Sequence, residues 1–171
     1  SVEYNFLEIK CDQFENIENL RKFLKGIGAG ESISISLNIV GDHQLDLALD
    51  GIGICVEPKR SVYVDFSRKT HNEDELLKEI KKFLESNENP KIFFNLKKTL
   101  LLFKKLDFVV TGKRDDVMIA AHMVDPLSRR YDLDYLLGRN LNMKRKKNES
   151  EQRKSNESQL SIFSEEQNKD H

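Results

Sequence analysis

At 171 residues, 38% hydrophobic and 33% charged, the chain suits one domain of ordinary size with its own core, plus a tail. Its 28 basic and 29 acidic residues leave a net charge of −1, so no global basic field marks a strong stand-alone DNA binder, although a module of a larger one is compatible. No apolar run spans a bilayer, no signal peptide precedes the first strand, and Cys11 and Cys55 lack CxxC spacing, which together imply two buried thiols in a reducing cytosol.

"FLEIK" (residues 6–10) reads as a short strand. Asp12 with Glu15 then forms a capping box for a helix with the face Phe14, Ile17, Leu20 and Leu24. "GIGAG" ends that helix and leads into "ISISLNIVGD" (residues 33–42). The strand period of two puts Ile33, Ile35, Leu37 and Ile39 on one face and Ser34, Ser36 and Asn38 on the other. The flanking sequence places this strand in the middle of a sheet, so its polar face was built to hold something. "GIGICVEPKRSVYVDF" is a pair of strands joined at residues 58–61 in a hairpin. A helix over residues 72–86 carries Leu76, Leu77, Ile80, Phe83 and Leu84 on one side.

"KIFF" is a brief buried strand. "LKKTLLLFKKL" and "DDVMIAAHMV" are helices, the second capped by Asp115 or Asp116 and stopped before Pro126. A last short helix begins at Asp132 and contains Leu133, Leu136 and Leu137. The order is that of a mixed α/β domain. Composition shifts near Asn140: beyond it the only large apolar residues from 142 onward are Met143, Leu160, Ile162 and Phe163. Residues 1–141 are therefore read as the folded domain. Residues 142–171 are read as a disordered tail or insertion, too polar to offset chain entropy. The start at Ser1, without methionine, is that expected of an excised piece.

Several features that can carry chemistry have plainer explanations. His43, His71 and His122 lack ligand spacing. Asp42, Asp46 and Asp50 read as solvated loop residues, Asp116 as an N-cap, and Asp132 and Asp134 as helix-start residues. "GIGAG" leads into a strand rather than opening a helix, so it is no phosphate loop.

Four phrases in order resemble one family over roughly residues 4–140. "GIGICVEPKRSVYVDF" looks like the second and third strands of the 3′–5′ exonuclease domain of bacterial DNA polymerase I, a family A DNA polymerase. "FFNLKKTLLLFKKLDF" resembles its Asn-Leu-Lys-x-Asp helix start and the return that follows. "DDVMIAAHMVDPLSRRYDLDYLL" is similar to its Phe-Asp-Thr-Met helix, Asp-Pro stop and Leu-Asp-x-Leu helix. The resemblance implies an α/β, RNase H-like (DnaQ-like exonuclease) fold, a mixed sheet flanked by helices. It also implies a job for the polar strand face, because these exonucleases cleave the last phosphodiester of a 3′ end with two divalent metals. Hard cations need carboxylate oxygens. The family's Asp-x-Glu falls at Ser36 and Asn38, and its second-motif Asp at Thr99. The third motif, Tyr-x-x-x-Asp, is matched by none of Tyr4, Tyr63, Tyr131 or Tyr135.

Neutral side chains at every locatable ligand position imply a catalytically inactive nuclease domain without metal or cofactor. Its expected role is structural, as a platform for the polymerase domain of the same parent chain in DNA replication and repair. The parent would be a Mg-dependent, DNA-directed DNA polymerase of the bacterial cytoplasm that contacts DNA. The alternatives are an active metal-dependent exonuclease with unusual ligands, or a free-standing protein-interaction module. In the tail, Gln159, Leu160, Ser161, Ile162 and Phe163 resemble the pentapeptide with which bacterial replication proteins grip the sliding clamp. An apolar anchor for a missing part of the parent is the equal alternative. "KRKK" (residues 144–147) reads as a solvated linker before a DNA-backbone contact.

Overall fold

The computed structural model describes residues 12–13, 16–41, 46–58, 60–67 and 72–143. Those up to Leu133 belong to one compact unit and those from Asp134 onward to a second.

The first unit is built on one six-stranded sheet in the order β1-β4-β3-β2-β5-β6. Its strands are β1 (Asp12–Gln13), β2 (Ile33–Val40), β3 (Ala48–Glu57), β4 (Arg60–Asp65), β5 (Lys91–Phe93) and β6 (Arg114–Asp116). The β2–β3 and β3–β4 pairs are antiparallel, whereas β1–β4, β2–β5 and β5–β6 are parallel. This is the mixed sheet flanked by helices that the sequence implied. The hairpin closes with Glu57 opposite Arg60.

The described residues of this unit form the helices α1 (Ile17–Lys25), α2 (Glu73–Leu84), α3 (Leu96–Lys105) and α4 (Val117–Val124). Leu20 of α1, Leu76, Ile80 and Leu84 of α2, and Phe103 of α3 join Ile33, Ile35, Ile52, Ile54, Val62, Val64 and Phe93 of the strands in one core. The spacing of four within α2 gives it one apolar stripe, and that stripe is its buried side. Arg21 of α1 reaches Glu79 of α2 at 3.0 Å, joining the two helices on their outer side.

Three expectations change. Asp12 lies in β1, and α1 is capped by Asn16, whose side chain accepts from Glu18 N at 2.9 Å. Phe14 and Glu15, like the "FLEIK" segment, lie outside the described residues. Leu37 shares the apolar face of Ile33 and Ile35 and is therefore expected to be buried, but it is half-buried, because β2 runs beyond β5, which pairs only with residues 33–35. Cys55 is also half-buried, with its thiol donating to Glu57 O at 3.2 Å, whereas Cys11 lies outside the described residues.

One feature of β5 has no counterpart among the expectations. Lys91 is fully buried, and its ammonium donates to the carbonyls of Ser86 (2.6 Å), Asn89 (3.3 Å) and Thr111 (3.1 Å). Burial, with Arg114 nearby, holds its pKa below the ordinary lysine value. The contacts tie two loops to the strand between them.

In the second unit, α5 (Leu133–Leu141) starts one residue after Asp132, as expected. Its last turn is closed by Asn140 Nδ2 donating to Leu136 O at 3.0 Å and Met143 N donating to Leu137 O at 3.2 Å. No helix among the described residues is long and apolar enough to cross a membrane.

Candidate functional site

Alternation along β2 divides its side chains as the sequence implies. Ile33 and Ile35 are 0% and 4% exposed, whereas Ser34, Ser36 and Asn38 are exposed on the opposite face. Across the antiparallel pair, Ser36 stands opposite Gly53 and Asn38 opposite Gly51. One strand further, Gly53 pairs with Tyr63 and Gly51 with Asp65. The polar face of β2 therefore continues over two glycines to a tyrosine and an aspartate.

The glycines have different reasons to be there. A Cβ at Gly51 would overlap the Tyr63 hydroxyl, so the ring occupies the space a side chain would need. A Cβ at Gly53 would meet only ordinary contacts, the nearest 3.8 Å away on Ser36. Only Gly51 is required by packing.

Past Asn38 the register shifts, so that Ile39 faces Leu49 and Asp50 becomes the extra residue of a bulge. This brings the Asp50 carboxylate to Asn38, whose Nδ2 donates to Asp50 Oδ2 at 2.7 Å. Asp50 is thus a half-buried strand residue rather than the loop residue expected. Asp46 is an exposed turn residue, and Asp42, His43 and His71 lie outside the described residues. Asp65 accepts from Ser67 N at 2.8 Å.

Thr99 lies in α3, which starts three residues after β5, and it is 4% exposed. Among the described residues no hydrogen bond joins it to Ser36 or Asn38. What holds the start of α3 is Asp116. Its Oδ1 accepts from Asn95 N (3.2 Å) and Met118 N (2.9 Å), and its Oδ2 accepts from Leu96 N (2.8 Å). One buried carboxylate therefore sits at the positive N-terminal ends of both α3 and α4. The expected N-cap of α4 is Asp116 rather than Asp115, with the cap of α3 added. Asn95 completes the α3 start in the left-handed region (φ 59°, ψ 60°), with its side chain accepting from Lys98 N at 3.2 Å.

The chemistry available on this face is limited. A serine hydroxyl and an amide offer neutral oxygens, and one of the amide's two N–H donors is directed to Asp50. Among the described residues no group of three or more His, Cys, Asp or Glu side chains could hold a metal ion. His122 packs its ring edge-on against Tyr131 at 5.0 Å, a structural contact. Asp132 pairs with Arg130 at 2.9 Å ahead of α5, and Asp134 lies in that helix's first turn. Gln159, Leu160, Ile162 and Phe163, with the basic run at residues 144–147, lie outside the described residues.

Comparison with solved structures shows a shared fold. The polymerase domain of Pol1 from M. smegmatis, in complex with DNA primer-template and dNTP, superposes with a TM-score of 0.64 at 18% identity, over 78% of this chain and 23% of that one. E. coli RNase D, an exoribonuclease involved in structured RNA processing, gives 0.63 at 15% identity, over 82% of this chain and 36% of that one. Trypanosoma brucei RNase D gives 0.65 at 20%, over 84% and 51%. The chain thus spans about a quarter to a half of these proteins. No curated protein sequence matches it. The family model of the DNA polymerase I ribonuclease H-like domain matches residues 35–150, more than half of the chain, and the protein belongs to that family.

Proposed function

We propose that this chain is the exonuclease-like part of a family A DNA polymerase in which the nuclease metal site has been lost. Its role is then structural, as a platform for the polymerase domain of the same polypeptide in DNA replication and repair. The observation that carries the reading is the state of the β2 polar face. Ser36 and Asn38 stand where the family resemblance puts Asp and Glu, and Asn38 is turned to Asp50 as a donor. Two divalent cations require several carboxylate oxygens, and neutral ligands do not offset their charge. Thr99, at the third position, is buried in α3. DNA contact and magnesium chemistry then belong to the polymerase part of the parent, in a bacterial cytoplasm.

The experiment is release of nucleotides from a 3′-labelled single-stranded DNA with magnesium or manganese. No release is expected. Metal-dependent release that survives an independent preparation and disappears in Asp50→Asn would instead support a nuclease with unusual ligands. Among the described residues, Asp50 is the carboxylate hydrogen-bonded to the motif residues. A source gene lacking polymerase motifs would favour the free-standing interaction module.

The tail reading is part of the same proposal. Leu160 and Phe163 are suited to fill pockets on a sliding clamp, with Gln159 at the rim and Ile162 beside them. A labelled peptide of residues 155–167 is expected to bind the clamp of the source organism at about micromolar affinity. Binding that is absent, or unchanged by Leu160→Ala with Phe163→Ala, leaves the segment as an apolar anchor or linker.

A further inference from the structure

Helix α4 differs from every other helix of the first unit in having no buried residue. Its eight residues, VMIAAHMV, include no Asp, Glu, Lys or Arg. Ile119 is 55% exposed, Met123 77%, Val124 87%, and Leu127, just past the helix, 90%. The helix is nevertheless firmly built at both ends. Asp116 caps its start, and at its end the Tyr131 hydroxyl donates to Asp125 O at 2.6 Å while the Tyr131 ring packs on His122. A rigid, uncharged apolar surface of this kind marks a contact site.

We propose that the α4 face with Leu127 is the docking surface for an apolar surface of the polymerase part of the same polypeptide. This rests on reading the chain as part of a polymerase. The size of the patch selects the occupant. Eight helical residues rise only about 12 Å, whereas a stable complex of separate proteins covers about 800 Å² on each partner. A second copy meeting this patch alone falls short of that area. A tethered neighbour does not need it, because a linker supplies an effective concentration in the millimolar range. The lack of charge excludes a nucleic-acid backbone as the natural occupant. The matched Pol1 chain extends far beyond the aligned part, since this protein covers 23% of its length. A polymerase of that kind therefore offers ample surface in cis.

The test is hydrogen exchange of the α4 amides in this chain alone and in the parent polymerase, with Met123→Ser, Val124→Ser and Leu127→Ser combined as the variant. Alone, the variant is expected to keep the melting temperature within about 3 °C, since exposed side chains contribute little. In the parent, α4 exchange should slow at least about tenfold, and the variant should remove that extra protection. Equal exchange in both proteins overturns the proposal. So does a large fall in melting temperature of the isolated variant, which means that the face is already covered. Protection that rises with the concentration of the isolated chain overturns it in favour of a second copy. Nuclease activity, or a gene without a polymerase part, overturns the proposed function instead, so the two failures are distinguishable.

Discussion

The two faces of β2 carry the same backbone and different constraints. On one, Ile33 and Ile35 belong to the core shared with Leu20, Leu76, Ile80 and the neighbouring strands, where each removed methylene leaves a void. On the other, Ser34, Ser36 and Asn38 are exposed, and among the described residues the side-chain hydrogen bond of that row is Asn38–Asp50. The core face is held by the fold. The polar face is held only by whatever chemistry it performs, so its ligands can be replaced without unfolding the sheet.

The most severe way to break this comparison is on the core face. Ile35→Ala is expected to cost about 2–5 kcal/mol in urea unfolding, whereas half-buried Leu37→Ala should cost distinctly less. Equal costs would mean that β2 is covered along its whole length. Gly51→Ala comes next, at about 1–3 kcal/mol, because the new methyl meets the Tyr63 hydroxyl. Measured in a Tyr63→Ala background the same change should cost much less. Gly53→Ala, with only ordinary contacts, is the matched control.

Asp116→Ala tests the junction behind the polar face. Losing a shared cap for α3 and α4 is expected to cost about 1–2 kcal/mol, read by chemical denaturation. Exchange at Leu96 and Met118 should quicken together. Asn38→Asp is smaller, about 0.5–1 kcal/mol at neutral pH, since it sets an exposed carboxylate against the half-buried one of Asp50.

Lys91 gives the smallest effect, visible as a slope. Its folded pKa lies below the usual value near 10.5. Between those two values the unfolded chain binds more protons than the native one, so native stability rises with pH across that window. The unfolding free energy of the native protein minus that of Lys91→Met should therefore climb as pH approaches 10.5 and level above it. A flat difference would mean that the three carbonyls fully offset the burial of the ammonium.

Much of the architecture was legible because its signals are local and periodic. The alternation of β2, the four-residue spacing of Leu76, Ile80 and Leu84, and the hairpin at residue 58 each fit one period. What escaped depends on partners distant in the chain. β1 and β6 are two and three residues long and exist only by pairing, so Asp12 read as a cap instead. Asp50 follows the first long strand in the sequence and so reads as a loop residue, whereas the bulge opposite Asn38 makes it part of β3. Burial of Lys91 depends on carbonyls from Ser86, Asn89 and Thr111, and no local pattern encodes that. Ser36, Asn38 and Thr99 were found through the family resemblance, since nothing in three neutral residues by themselves speaks of metal.

The central claim is that the polar face of β2 does not bind divalent metal, and manganese titration by calorimetry tests it most directly. The account predicts no site tighter than about millimolar in the native chain. It also predicts that Ser36→Asp with Asn38→Glu and Thr99→Asp lowers stability without metal, because the added carboxylates repel one another. A tight manganese site in the native chain, lost in Asp50→Asn, would contradict it.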